Sequence, residues 1–306
     1  MTPESGTLFS TREFIEAWAR AHRGKRPLEV AVPGSGPPRS MYALATPWPL
    51  GLQSVELGPA GLYGSPGWDG ELAPSTVREL LASLRKPSTL SLVWNVRHDH
   101  ELLARRLEAE GLEAERLTTH VLPLGAGHDA VFAGYSTTKR NEVRAAERRG
   151  VQVRRGTTAD DVRAYHRVHT GLVEEKADGR RVYALEVLNE LVGLGAPVQL
   201  WLAELEGQVV AGGVFCRDGD SVLYWHGAAD RTFARSYPSA AVLDAAIRDA
   251  CAAGARTFNL GASNGIASLE QFKEQWGGRI APYWRFIWRT PLLRPLFALR
   301  SYLART

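Results

Sequence analysis

Cysteine is nearly absent: Cys216 and Cys251, 35 positions apart, are the only two in 306 residues. Two thiols build neither a disulfide framework nor a Cys-based zinc cluster, and such sparse use predicts a reducing, cytoplasmic setting. Lysine is scarce too. Lys25, Lys86, Lys139, Lys176 and Lys273 leave 32 arginines among the 37 basic residues. No run approaches 18 consecutive apolar residues, so no segment is expected to span a bilayer as a helix. The opening MTPESGTLFSTREF has no basic start followed by an apolar stretch, and is read as carrying no signal peptide. Low-complexity blocks and fixed-period repeats are also missing.

What is present is an ordinary globular composition. Hydrophobic residues make up 44% and charged residues 23%. The length predicts about two domains, with a core large enough to need no covalent staple. The net charge of +4 is uneven: the last 32 residues carry six arginines and no acid, so the remainder sums to −2. A near-neutral body argues against a general nucleic-acid-coating role. A second basic cluster, residues 139–155, has seven basic residues against Glu142 and Glu147.

In the first half, Ser10 and Glu13 read as a capping box ahead of an apolar helical face at Phe14, Ile15 and Trp18. Strands are expected at 28–32, 41–46, 90–96 and 121–124, and helices at 76–84 and 101–110, the latter stopped by Gly111. The small-residue segment 123–136 places a domain boundary near residue 128. After it the pattern is clearer. A helix over 137–149 follows the N-cap Ser136 and ends at Gly150. Then come a strand, a helix capped by Thr158, a second helix, three hairpin-linked strands, and helix, strand, helix, strand. The order β-α-α-β-β-β-α-β-α-β predicts an α/β fold with a central mixed sheet. It is also the order of the N-acetyltransferase (GNAT) fold, in which a splayed strand pair exposes backbone groups to an acyl donor.

Several motifs fail on their partners. Gly261-Ala262-Ser263-Asn264-Gly265 matches the G-x-S-x-G nucleophile elbow, but no His or Asp follows it, so the hydrolase triad is excluded. His98-Asp99-His100 cannot converge on one metal ion, and reads as a helix start with Asp99 as N-cap. GSGPP lacks the lysine of a phosphate-binding loop. No metal site is expected.

Two segments carry chemistry. Arg140, Arg144 and Arg148 recur every four residues and form one basic stripe, suited to phosphate through forked donors; a solvated helix face is the alternative. The segment 259–277 ends a strand in small polar residues, then presents Phe272 and Lys273 on a helix. Strand ends of this kind hold ligands in α/β sheets. A lysine in an arginine-rich chain points to a compact ammonium. The tail, residues 283–306, interleaves aromatic residues with five arginines, and its part over 292–303 is read as a contact to an anionic surface.

KRNEVRAAERRGVQVR, residues 139–154, resembles the K-x-R/R-N-x-R-x-A-x-x-x-G-V-x-V signature of the Fem-type (FemABX-like) aminoacyltransferase family and its acetyltransferase-like relatives. NLGASNGIASLEQFKEQWGG, residues 259–278, resembles the strand-loop-helix of that family ending in F-K-x-x-[FW]-G. The resemblance implies two tandem GNAT-like domains, here residues 1–128 and 129–306, the second bearing the site. It implies transfer of an amino acid from aminoacyl-tRNA to an amine of a peptide or peptidoglycan precursor. Charged tRNA would be a co-substrate, with no tightly bound cofactor, and the protein would be cytoplasmic, its tail bringing it to the inner face of the membrane. Lys273, beside Phe272, would stabilise the acyl-transfer intermediate. Tyr237, Asn259, Ser263 and Asn264 would position substrate, and Lys139, Arg140, Arg144 and Arg148 the donor phosphates. Acetyl-CoA enzymes of this fold carry Q/R-x-x-G-x-G/A before the long helix; here Ala234 and Ser236 replace both glycines. An acyl-CoA-dependent N-acyltransferase is the alternative enzyme, and a non-catalytic envelope-assembly protein the alternative class.

Overall fold

The computed structural model describes residues 7–34, 39–65, 73–176, 182–263 and 265–291. Its chain forms two compact units, Met1–Leu117 together with Pro282–Thr306, and Thr118–Ala281. The boundary therefore falls at residue 117, not near 128, and the described residues from Pro282 to Pro291 belong to the first unit. The segment 123–136 is not a linker but includes a short helix.

The first unit runs α1 (Arg12–Arg20), β1 (Arg26–Val32), β2 (Arg39–Pro47), β3 (Gln53–Leu57), α2 (Pro74–Leu84), β4 (Thr89–Val96) and α3 (Glu101–Ala109). β5 (Glu113–Pro123) begins there and ends in the second unit. The second unit continues with α4 (His128–Gly134), α5 (Thr137–Arg148), β6 (Gln152–Gly156), α6 (Ala159–Lys176), α7 (Leu185–Val192), β7 (Val198–Leu205), β8 (Gln208–Asp218), β9 (Ser221–Ala229), α8 (Pro238–Ala252), β10 (Thr257–Ala262) and α9 (Ala267–Gln275). β11 (Arg279–Arg289) starts in it and returns to the first. The element order after residue 150 is the expected one.

Two helix starts differ from expectation. The N-cap of α1 is Thr11, whose hydroxyl takes the Phe14 N–H, and Ser10 is buried in the turn before it. His100, not Asp99, precedes α3, because Arg97 holds the Asp99 carboxylate at 2.6 Å. Ser136 and Thr158 cap α5 and α6 as expected.

Each unit is built on a mixed sheet. In the first, β1, β2 and β3 are antiparallel neighbours, β3 and β4 are parallel, and β11 lies antiparallel on β4. In the second, β6 to β9 are antiparallel neighbours, β9 and β10 are parallel, and β5 lies antiparallel on β10. Each unit thus takes the strand beside its parallel pair from the other half of the chain. The cores are separate apolar clusters. Trp94, Leu107 and Phe286 belong to the first, and Phe215, Phe258, Ile247 and Trp276 to the second.

The two units are copies over their last elements. One constant shift in numbering carries α3 onto α9, β5 onto β11, and Gly111 onto Gly277, both with positive φ just past the helix end. It also carries the β4–β11 register onto that of β10 and β5: Ser91↔Arg289 corresponds to Thr257↔Pro123, and Val93↔Ile287 to Asn259↔Val121. The copies part at the next step. Asn95 pairs with Arg285 in the first unit, whereas in the second a bulge intervenes and Thr119 faces Ala262.

Candidate active site

The parallel pairing of β9 and β10 is short. It runs from Ser221↔Thr257 to Leu223↔Asn259, while β9 continues along β8 as far as Ala229. Beyond Leu223 the two strands part, and β10 bulges. The extra residue is accommodated at Gly261, whose φ is +78° and where a Cβ would come 3.0 Å from the Tyr224 carbonyl oxygen. Only glycine takes this conformation without strain. Asn259, buried, fixes the bulge by accepting the Gly261 N–H at 2.8 Å and the Thr119 hydroxyl at 2.6 Å.

The bulge turns the Gly261 carbonyl toward α9. Lys273, only 5% exposed, donates from Nζ to that carbonyl at 2.7 Å and to Ser263 Oγ at 3.0 Å. Neither acceptor carries charge. Burial pulls the ammonium down to about 8 from its ordinary 10.5, against the opposing pull of Glu270. Two of its three hydrogens are used by the described residues, and the third has no acceptor among them.

One neighbour escaped the sequence reading. His120 on β5 is fully buried, and neither ring nitrogen has a hydrogen-bond partner among the described residues. A Cβ on Gly278 would lie 2.9 Å from the Lys273 carbonyl oxygen and 3.2 Å from the His120 Cβ, so His120 packs against the end of α9. Burial lowers its pKa, the Lys273 charge lowers it further, and Glu274 and Glu270 oppose. A lone histidine on an alternating strand has no local signature; only the pairing of β5 with β10 brings it here.

Lys273, Ser263 and Asn259 are therefore brought together. Asn264 lies outside the described residues. Phe272, half-buried, makes an edge contact with Trp276 at 6.2 Å and carries Lys139 Nζ 4.9 Å over its ring. Lys139 is itself buried and paired with Glu142 at 2.7 Å. Arg140 donates to the Ala133 and Tyr135 carbonyls at the end of α4 and to the Thr137 hydroxyl. Arg144 lies 5.4 Å over Phe132, and Arg148 is exposed. Of the expected phosphate set, Arg144 and Arg148 thus remain at the surface. Tyr237 holds a left-handed backbone at the start of α8, its ring 5.2 Å beneath Arg149. The described arginines of the basic C-terminal segment include two paired ones: Arg285 bonds Glu115 and Arg289 bonds Glu113. The rest of the tail, residues 292–306, lies outside the described residues.

A surface cleft of about 580 Å³ is lined by Arg154, Asp161 and Asp230, among others, and by none of the Lys273 group. Among the described residues no helix is long and apolar enough to cross a membrane.

The splayed strand pair of the mixed sheet thus ends on a buried lysine held at a bulge. Residues 134–274 match the family model described as an acetyltransferase (GNAT) domain, and the second unit has that fold. The chain as a whole has the fold of the crystal structure of FemX, at 15% identity, 94% coverage of both chains and a TM-score of 0.75. It is also similar to the C-terminal domain of a putative lysylphosphatidylglycerol synthetase from Agrobacterium fabrum (11% identity, 91% and 87% coverage, TM-score 0.61). L-PGS from Bacillus licheniformis matches at 11% identity, 97% and 98% coverage and a TM-score of 0.60. These likenesses are of fold. No curated protein matches the sequence.

Proposed function

We propose that the protein is an amide-forming aminoacyltransferase, moving an amino acid from aminoacyl-tRNA to an amine of a peptide or peptidoglycan precursor. The observation that carries the reading is Lys273: a buried ammonium at the end of a splayed strand pair, held by two neutral acceptors, with one hydrogen unused among the described residues. The acceptor amine attacks the carbonyl carbon of the aminoacyl ester, a C–N bond forms, and the carbonyl oxygen becomes an oxyanion. Lys273 stabilises that oxygen; one such donor is worth roughly 3 kcal/mol. Collapse breaks the ester C–O bond, and the amine's proton leaves with the freed hydroxyl. No side-chain nucleophile is required.

The segment before α8 supports tRNA over CoA. Arg231–Ser236 is a tight turn whose backbone donors are used internally. The Thr232 N–H goes to the Asp230 carboxylate, the Phe233 N–H to the Asp230 carbonyl, and the Tyr237 N–H to Ala234. A pyrophosphate cradle needs such groups turned outward, so these residues do not fit one. Arg144 and Arg148 supply exposed cations for donor phosphates, and likeness in fold to a putative lysylphosphatidylglycerol synthetase domain fits an aminoacyl group better than an acetyl group. The acceptor, a cell-wall precursor or other peptide amine, would be met at the inner membrane face.

The test is transfer from labelled aminoacyl-tRNAs to candidate peptide amines by the purified protein. RNase-sensitive amide product is expected, with kcat reduced about 10²–10³-fold in Lys273→Ala. Product from acetyl-CoA alone would select the N-acyltransferase alternative, and no product from either donor would overturn the enzyme reading.

A further inference from the structure

The two copies differ at one pair of positions. The shift that carries α3 onto α9 and β5 onto β11 places Leu107 on Lys273 and Phe286 on His120. Leu107 and Phe286 are both fully buried in the apolar core of the first unit. The second unit holds a lysine and a histidine there instead, also buried. Each replacement costs stability. A buried ammonium without a carboxylate is poorly solvated. Each unpaired ring nitrogen forfeits about 1–3 kcal/mol of hydration. A fold that accommodates Leu and Phe at these positions in one copy does not need Lys and His in the other for packing.

We propose that His120 is a second catalytic residue of the Lys273 site, its ring N–H completing an oxyanion hole with the Lys273 ammonium. The inference rests on the acyl-transfer reading and deepens it. Burial, and after it the Lys273 charge, disfavour the imidazolium, so His120 stands neutral with a hydrogen on one ring nitrogen. The same ammonium disfavours a cationic ligand group here and favours an oxygen with developing negative charge. A neutral imidazole is a competent donor to such an oxygen. Its hydrogen bond is unmade in the resting protein and made when the tetrahedral oxyanion forms. That is the differential interaction that accelerates a chemical step rather than tightening substrate binding. The step needs no proton from His120. The ring donates a hydrogen bond while the C–N bond forms and the ester C–O bond breaks as already described.

The test compares His120→Phe, the residue of the first copy, with His120→Gln, which keeps an N–H donor. Aminoacyl transfer and thermal melting are measured on the full chain. His120→Phe should lower kcat about 10²–10³-fold with KM within about threefold, and should melt no lower than the parent. His120→Gln should recover at least about tenfold of the lost kcat. Parent-like kcat in His120→Phe, with Lys273→Ala inactive, would overturn the inference alone. Parent-like rates in Lys273→Ala would remove the acyl-transfer reading and the inference with it. If His120→Phe does not fold, a His120→Gln protein as slow as Lys273→Ala overturns the inference, and one within tenfold of the parent supports it.

Discussion

In the first unit Leu107 and Phe286 lie in one apolar core, whereas at the matching positions the second unit carries Lys273 and His120. The helices are the same length, the strands share their register, and the glycine past each helix adopts the same left-handed backbone. The difference is concentrated at the β10 bulge, where Gly261 drops out of the pairing with β5. Without it, the corresponding residue is Asn95, whose amide donates to the Gly58 carbonyl at 2.9 Å in a regular ladder. With it, a carbonyl turns out of the ladder and receives an ammonium. A bulge thus converts a packing position into a chemical one.

The strongest challenge to this comparison is to put the lysine into the copy that lacks the bulge. Leu107→Lys should destabilise the protein by roughly 3–5 kcal/mol, the range for an uncompensated buried charge, read as a shift in urea midpoint. A loss below about 1 kcal/mol would mean that the bulge is not what accommodates the ammonium.

Titration sharpens it further. Lys273 loses its proton near pH 8 when folded and near 10.5 when unfolded. Between those values the unfolded chain binds the extra proton, so this residue's contribution to stability rises with pH across the window, by on the order of 3 kcal/mol. Lys273→Met should remove that rise, and the parent's transfer activity should fall above pH 8 as the ammonium is lost. A parent and variant with parallel stability curves from pH 8 to 10.5 would refute the burial argument.

The smallest effect separates two glycines of positive φ. Gly111→Ala meets nothing within 4 Å and should cost only about 1 kcal/mol from backbone strain, with transfer intact. Gly261→Ala drives a Cβ toward the Tyr224 carbonyl and should cost about 1 kcal/mol more, with activity lost as the carbonyl leaves Lys273. Equal behaviour of the two would detach the bulge from the chemistry.

Much of the second unit was legible in the sequence because its signals are local. Helical and strand periods alternate cleanly after residue 150, Ser136 and Thr158 announce their helices, and the scarce Lys273 sits in a short motif. What was hidden is non-local. β3 is only five residues long, Gln53–Leu57, beside Gly/Pro-rich turns, and went unread. The exchange of β5 and β11 depends on pairings between residues far apart in the chain, as does the place of His120. The stripe of Arg140, Arg144 and Arg148 was visible, but not that Arg140 would satisfy backbone carbonyls at the end of α4. Helix starts missed by one residue at Thr11 and Asp99, where neighbouring polar residues compete for one cap.

The exchanged strands have a consequence for synthesis. A ribosome delivers β4 long before β11, the strand that covers it, and an uncovered edge invites pairing with other chains. The second half in turn cannot complete its sheet without β5, which was made long before. Cutting the chain at residue 128 would therefore give two fragments, each lacking a strand, and the fragment with Lys273 would also lack His120. The two copies look separable in sequence, but biosynthesis must treat them as one folding problem.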